Sequence, residues 1–121
     1  MPALKGFSSL SAIPAEQIND KTVRRFVSGE QGMLVWWSGK AGSVFAPHSH
    51  PHEQIVWMIK GKLKIRIGNE EKIMVTGDVA VIPGGVEHAG SYVEDSEILD
   101  VFAPPREDFL QGVPPSYIKQ S

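Results

Sequence analysis

Short runs of β-branched and aromatic residues recur along this chain, and turn residues separate them. Leu34 to Trp37, Gln54 to Lys60, Leu63 to Ile67, Ile73 to Val75, Val79 to Ile82 and Ile98 to Phe102 all read as strands. Leu63, Ile65 and Ile67 alternate with Lys64 and Arg66, the pattern of a strand with one buried face. Gly29, Gly32, Gly39, Gly42, Gly61, Gly68-Asn69, Gly77, Gly84-Gly85 and Gly90 punctuate the runs. Many short strands at this spacing predict an all-β sandwich or barrel. Helix is scarce. Ser11 to Ile18, with Pro14 near its start, predicts one turn, and Glu107 to Gln111 another. Residues 112–121, with Pro114-Pro115, read as an extended tail.

Composition narrows the class. At 121 residues the chain is expected to be one domain spanning 1–121, with core strands from about residue 22 to 104 and a C-terminal tail from about 111. Twelve basic and 14 acidic residues give a net charge of −2, well mixed, so there is no electrostatic case for nucleic acid or an anionic membrane surface. Cysteine is absent, which removes disulfides and thiolate metal sites. Met1 to Leu10 lacks the apolar core of a signal peptide, and no run approaches the roughly 18 apolar residues of a membrane span. A soluble, cytoplasmic protein is expected. Repeats and low-complexity tracts are not apparent.

The histidines carry the candidate chemistry. Of four in the chain, His48, His50 and His52 lie at alternate positions in H-S-H-P-H-E-Q, and His88 lies in P-G-G-V-E-H. On an extended strand His48 and His50 point to one face, and Gln54 shares their parity if the strand stays regular past Pro51. A bulge at Pro51 would turn Glu53 inward instead. Two histidines on a strand plus a distant third form a metal-site arrangement. In the second stretch Gly77-Asp78 makes a tight turn, Pro83 ends the strand Val79 to Ile82, and Gly84-Gly85 turn the backbone before His88.

Spacing in both stretches resembles the paired signatures of the cupin superfamily. The first runs Gly42, five residues, His48, one, His50, three, Gln54, six, Gly61; the second runs Gly77, five, Pro83, one, Gly85, two, His88. The resemblance implies a small jelly-roll β-barrel with a metal inside it. Gln54 stands where that family usually has glutamate, and Tyr92 where it usually has asparagine. A neutral amide leaves a divalent ion its full 2+ charge, which favours anionic substrates and Lewis-acid work. The stretch from Ile98 to Leu110, I-L-D-V-F-A-P-P-R-E-D-F-L, is similar to the pectin-degradation cupins of the KdgF group. That resemblance implies metal ligands His48, His50, Gln54 and His88, and active-site residues Asp100, Phe102 and Arg106. It also implies opening of the ring of 4,5-unsaturated uronate monosaccharides, small anionic sugars, to linear 4-deoxy-5-keto acids. The ion would be nickel, zinc, iron, manganese or cobalt. A homodimer is expected by the same resemblance, with Phe26-Val27 and Leu34 to Trp37 as candidate contacts.

Each residue also has a plainer reading. The histidines could be solvated or core-satisfied, and Gln54 could line the pocket without ligating. His52 shares parity with His50 but falls outside the family pattern, near the barrel mouth. Asp100 is either a surface carboxylate on an edge strand or a buried one with a partner or a task. It shares a face with Phe102. Arg106 either pairs on the surface with Glu107 or Asp108, or offers a fork to a substrate carboxylate. Trp36, Trp37 and Trp57 read as core or interface residues, and Arg24 and Arg25 as a solvated face. Two other activities fit the same ligands: a quercetinase-like cupin dioxygenase, and a non-catalytic metal- or sugar-binding cupin.

Overall fold

The computed structural model describes residues 3–118. A 3-10 turn at Leu10–Ala12 precedes ten strands: β1 Glu16–Gln17, β2 Thr22–Ser28, β3 Met33–Gly39, β4 Val44–His48, β5 Glu53–Lys60, β6 Lys62–Ile67, β7 Glu70–Val75, β8 Val79–Ile82, β9 His88–Tyr92 and β10 Ser96–Ala103. One helical turn follows, α1 Glu107–Leu110. The strands form two antiparallel sheets. Six lie in the order β1-β2-β3-β10-β5-β8 and four in the order β4-β9-β6-β7. The inner faces enclose the core, which includes Val35, Met58, Leu63, Ile82 and Phe102.

The fold is an open sandwich rather than a closed barrel. Among the described residues no ladder joins the two sheets. Proline accounts for part of this, because it cannot donate to a ladder. Pro83 stops the edge strand β8 at Ile82, and Pro47 removes a donor from the edge strand β4, whose register with β9 shifts between Phe45 and His48.

Several expectations need correcting. The stretch from Ser11 to Ile18 holds the end of the 3-10 turn and then strand β1, whose Glu16 and Gln17 pair with Arg24 and Val23. Arg24 is fully buried, not solvated. Its Nη2 donates to Glu16 Oε2 at 3.0 Å, and its guanidinium lies 4.6 Å from the centre of the Phe109 ring. Phe26 faces the core and not an external contact. The extended tail has a destination. At its described end Tyr117 and Ile118 return to β4, where Ile118 bridges Phe45; residues 119–121 lie outside the described structure. No helix among the described residues is long and apolar enough to cross a membrane.

Candidate metal centre

The two sheets each bring part of the site to the space between them. His48 closes β4 and His88 opens β9, and the two are direct cross-strand partners with ring centroids 4.2 Å apart. His50 sits in the loop that carries the chain from β4 across to β5. The second glycine-rich stretch holds this loop: Gly85 N–H donates to the His50 carbonyl at 2.8 Å. Gly84 packs so closely on Pro51 that an added Cβ would lie 2.2 Å from its carbonyl oxygen. Gly85 adopts φ +83°, a conformation that glycine takes at no steric cost. The two separated stretches are thus one structural unit.

Ligating nitrogens of His48, His50 and His88 lie within 4.8 Å of one another, while His52 is outside the cluster. Each of the three rings turns Nδ1 to a backbone carbonyl: Ala46 at 2.8 Å, His52 at 3.1 Å and Val86 at 2.9 Å. A carbonyl only accepts, so Nδ1 of His48 and of His88 carries the proton and their Nε2 atoms present lone pairs, whereas His50 meets an acceptor at both ring nitrogens and its single proton serves one of them. Metal-bound histidines are oriented in this way. Burial keeps the rings neutral. It pushes His48 and His50 down to about 4 and lowers His88, and the Arg106 guanidinium adds to the effect on all three. The buried Nε2 of His88 has no hydrogen-bond partner.

Gln54 faces inward from β5, buried, while Glu53 is exposed, so the loop at Pro51 leaves strand parity intact. The Gln54 Oε1 lies 3.0 Å from His50 Nε2. Three imidazole lone pairs, one of them orphaned in the interior, and an amide oxygen together form a donor set that fits a divalent transition metal.

Asp100 lies on the inner face of β10 beside this set. Its Oδ2 accepts from the Trp37 indole N–H at 3.0 Å, and its buried Oδ1 has no hydrogen-bond partner. Burial raises the carboxyl to about 7, against the opposing pull of the Gln54 amide, the Trp37 indole and Arg106. Trp37 is therefore the tryptophan that belongs to the site. Phe102 is buried, edge-on to His50 at 5.6 Å and under the Arg106 guanidinium at 5.2 Å. It supports those two groups rather than walling an open space. Arg106 is also buried. Its Nε and Nη2 hold Asp108 at 3.2 and 2.8 Å, and its Nη1 donates to the Tyr117 hydroxyl at 2.8 Å. One N–H on each terminal nitrogen remains for a further acceptor.

Tyr117 is the residue that sequence reasoning missed. Its ring stacks on His48 at 3.4 Å and 2°. Two prolines before it read as an extended tail, and nothing local in the sequence signals the return. The cavity between the sheets, lined by His48, Gln54, His88, Asp100 and Tyr117, is about 50 Å³.

The cupin domain profile matches residues 35–102. The chain is a cupin. This cupin is 30% identical over 100 residues to the pectin degradation protein KdgF of Dickeya dadantii, covering 80% of this chain and 91% of that one. Its fold matches a RmlC-like cupin from Shewanella frigidimarina with a TM-score of 0.85 at 24% identity, over 90% of this chain and 99% of the other. It also matches KdgF from Halomonas sp. with a TM-score of 0.81 at 26% identity, over 88% and 99%. The family match accords with the motif spacing in the sequence, and with the three-histidine cluster between the sheets.

Proposed function

We propose that this cupin is a metal-dependent enzyme that opens the ring of 4,5-unsaturated uronate monosaccharides. The observation that carries the reading is the buried Asp100 carboxyl, with one oxygen unpartnered, in the same cavity as His48, His88 and Gln54. The likeness to KdgF proteins supports the substrate class. His48, His50, His88 and Gln54 would hold the ion. A divalent ion there supplies Lewis-acid stabilisation of negative charge developing on oxygen.

The reaction is an isomerisation. The C1 hydroxyl loses its proton, the bond from C1 to the ring oxygen breaks, and that oxygen departs as the C5 enolate. A proton then joins C4, which gives the 5-keto acid. Asp100, raised to about 7, is poised both to accept and to return a proton near neutrality. Trp37 fixes one of its oxygens and leaves the other for the substrate. Arg106 meets the substrate carboxylate with its remaining N–H groups, and Phe102 holds the guanidinium in place.

The test follows the ultraviolet absorbance of 4,5-unsaturated galacturonate with metal-loaded and chelator-stripped protein. Rapid metal-dependent loss of the alkene signal without oxygen uptake supports ring opening. No acceleration over the spontaneous reaction overturns it, and oxygen uptake points to a dioxygenase.

A second copy of the chain is the proposed partner. The outer face of the six-stranded sheet carries two aligned apolar rows, Leu34-Val101-Ile55-Val81 and Trp36-Leu99-Trp57-Val79. Val79 is 69% exposed and Trp57 49%. Contiguous apolar patches on monomers rarely exceed a few hundred Å², and a standard interface buries about 800 Å² per partner. From β3 to β8 both rows are free of charge; on β2 the first continues with Val27 and the second ends on Arg25. Light scattering at the mass of two 13.3 kDa chains, lost in Trp57→Asp, is expected; a monomeric parent overturns the pairing.

A further inference from the structure

We infer that Tyr117 is a gate over the histidine centre, and that a carboxylate-bearing ligand opens it by taking the place of the Tyr117 hydroxyl on Arg106. The inference rests on the cavity being a metal and substrate site, but not on which sugar enters it.

Of the three clustered histidines, His48 is the half-buried one, and Tyr117 covers it, ring on ring at 3.4 Å. The segment that delivers Tyr117 is held at few points. Its carbonyl accepts from Ala46 N–H at 2.7 Å, and its hydroxyl from Arg106 Nη1 at 2.8 Å. The next residue, Ile118, bridges Phe45 on the β4 edge, bonds back to the Pro115 carbonyl at 3.2 Å and packs into the core, so the motion proposed is of Tyr117 about that anchor. The chain reaches this edge through Pro114-Pro115 with no strand or helix of its own. Segments with so few backbone ties open locally at low cost.

Volume requires such an opening. With Tyr117 in place the cavity is about 50 Å³. That is space for a few waters, each of which needs ~10–15 Å³ on this measure. Sites for drug-sized ligands run to about 300 Å³ or more, and a uronate ring with its carboxylate does not fit beside the histidines until Tyr117 leaves.

Arg106 links the opening to the ligand. Asp108 takes one edge of its fork and Tyr117 takes Nη1. When Tyr117 departs, Nη1 regains the N–H it had given to the Tyr117 hydroxyl, and a carboxylate is the stronger acceptor for a guanidinium than a neutral phenol. An anionic ligand therefore stabilises the open gate, whereas a neutral sugar of the same size does not.

The experiment compares the parent with Tyr117→Ala and Tyr117→Phe, each checked for parental thermal unfolding. In the metal-loaded protein, stopped-flow transfer of the ion to a chromophoric chelator gives the release rate, and loading of stripped protein gives the association rate. A gate slows both directions, so Tyr117→Ala is expected to raise both rates about tenfold and to leave Kd within about threefold. Tyr117→Phe keeps the stacking and loses the Arg106 bond, so it falls between. A merely structural Tyr117 would raise release alone and weaken Kd, and that result overturns the gate. So does a parental rate in both directions.

A metal-free arm keeps the outcomes separable. Carbethoxylation of His48 and His88 by diethyl pyrocarbonate, read by peptide mass spectrometry, should be faster in stripped Tyr117→Ala than in stripped parent. In the parent it should be accelerated by galacturonate but not by galactose. Equal labelling in parent and variant refutes the gate. A parent that binds no metal refutes the metal reading and leaves this labelling comparison to judge the gate.

Discussion

The amide oxygen of Gln54 lies 3.0 Å from Nε2 of His50, on the side of the ring away from the His52 carbonyl. His50 meets an acceptor at each ring nitrogen, so the one proton of the neutral ring goes either to the His52 carbonyl or to the Gln54 oxygen, and a metal ion at Nε2 would leave it on Nδ1. A separation of this size also suits two neighbouring ligands of one ion, the role proposed for this pair. Asp100, on the other side, attracts the N–H edge of the same amide and so turns its oxygen to the histidines. Gln54→Leu keeps the shape of the side chain and removes the donor. It should weaken metal binding by at least about tenfold while the fold survives. Competition with a chromophoric chelator measures this, and unchanged affinity would remove Gln54 from the donor set.

Metal should stabilise the protein because only the folded chain assembles the three rings. Free ion at a hundred times its Kd adds ~2.7 kcal/mol. Calorimetry with and without metal should show that gain as a higher Tm, and His88→Ala should abolish the difference. His88 is the sharp choice, since its buried Nε2 has no other partner.

Asp100 makes stability fall as pH rises, the reverse of an ordinary carboxylate. Its folded value of about 7 stands above the unfolded 3.8. Below 3.8 both states hold the proton and the contribution is complete. Between 3.8 and 7 the unfolded chain loses its proton first, and stability drains until the folded group ionises too. Asp100→Asn removes this slope and keeps an acceptor for the Trp37 indole. In stripped protein the variant should therefore gain stability over the parent at pH 8 compared with pH 4. Denaturant melts at the two values test it; a pH-independent difference would show that Asp100 does not carry a raised pKa.

How much of this could be read beforehand varied with how local the cause was. Val79 to Ile82 is bounded by Asp78 and Pro83, and its strand has those same limits. Leu63 and Ile65 alternate with lysine and arginine, and they are buried. In β2 only Phe26-Val27 stood out, because the inward positions Thr22, Arg24 and Ser28 are polar and break the apolar alternation. Arg24 is tolerated inside through Glu16, the Val113 carbonyl and the Phe109 ring, none of them a neighbour on its own strand. The histidine cluster was legible because strand parity and cross-strand pairing follow simple periods. Choosing Trp37 over its neighbours required the register of β3 with β10, which sets Trp37 opposite Ile98 and Val35 opposite Asp100. Tyr117 was illegible for a different reason: its position depends on where a proline-stiffened tail turns back.

Gly84 tests whether the second glycine stretch acts on the first. Its backbone lies against Pro51, where a methyl group would sit 2.2 Å from the carbonyl oxygen, and neither partner is a flexible side-chain end. Gly84→Ala must push apart the loop that holds His50 and strain the bond from Gly85 N–H to the His50 carbonyl. Overpacking of this kind costs about 1–3 kcal/mol. The effect should therefore appear twice: as a lower Tm in stripped protein, and as weaker metal binding because His50 is displaced. Gly77→Ala is the control. It has nothing within reach of an added Cβ but needs φ +92°, so it should lower Tm through strain alone and leave metal affinity near the parent value. Equal loss of metal affinity in both variants would mean that the glycines act through general stability and not through the loop that presents His50.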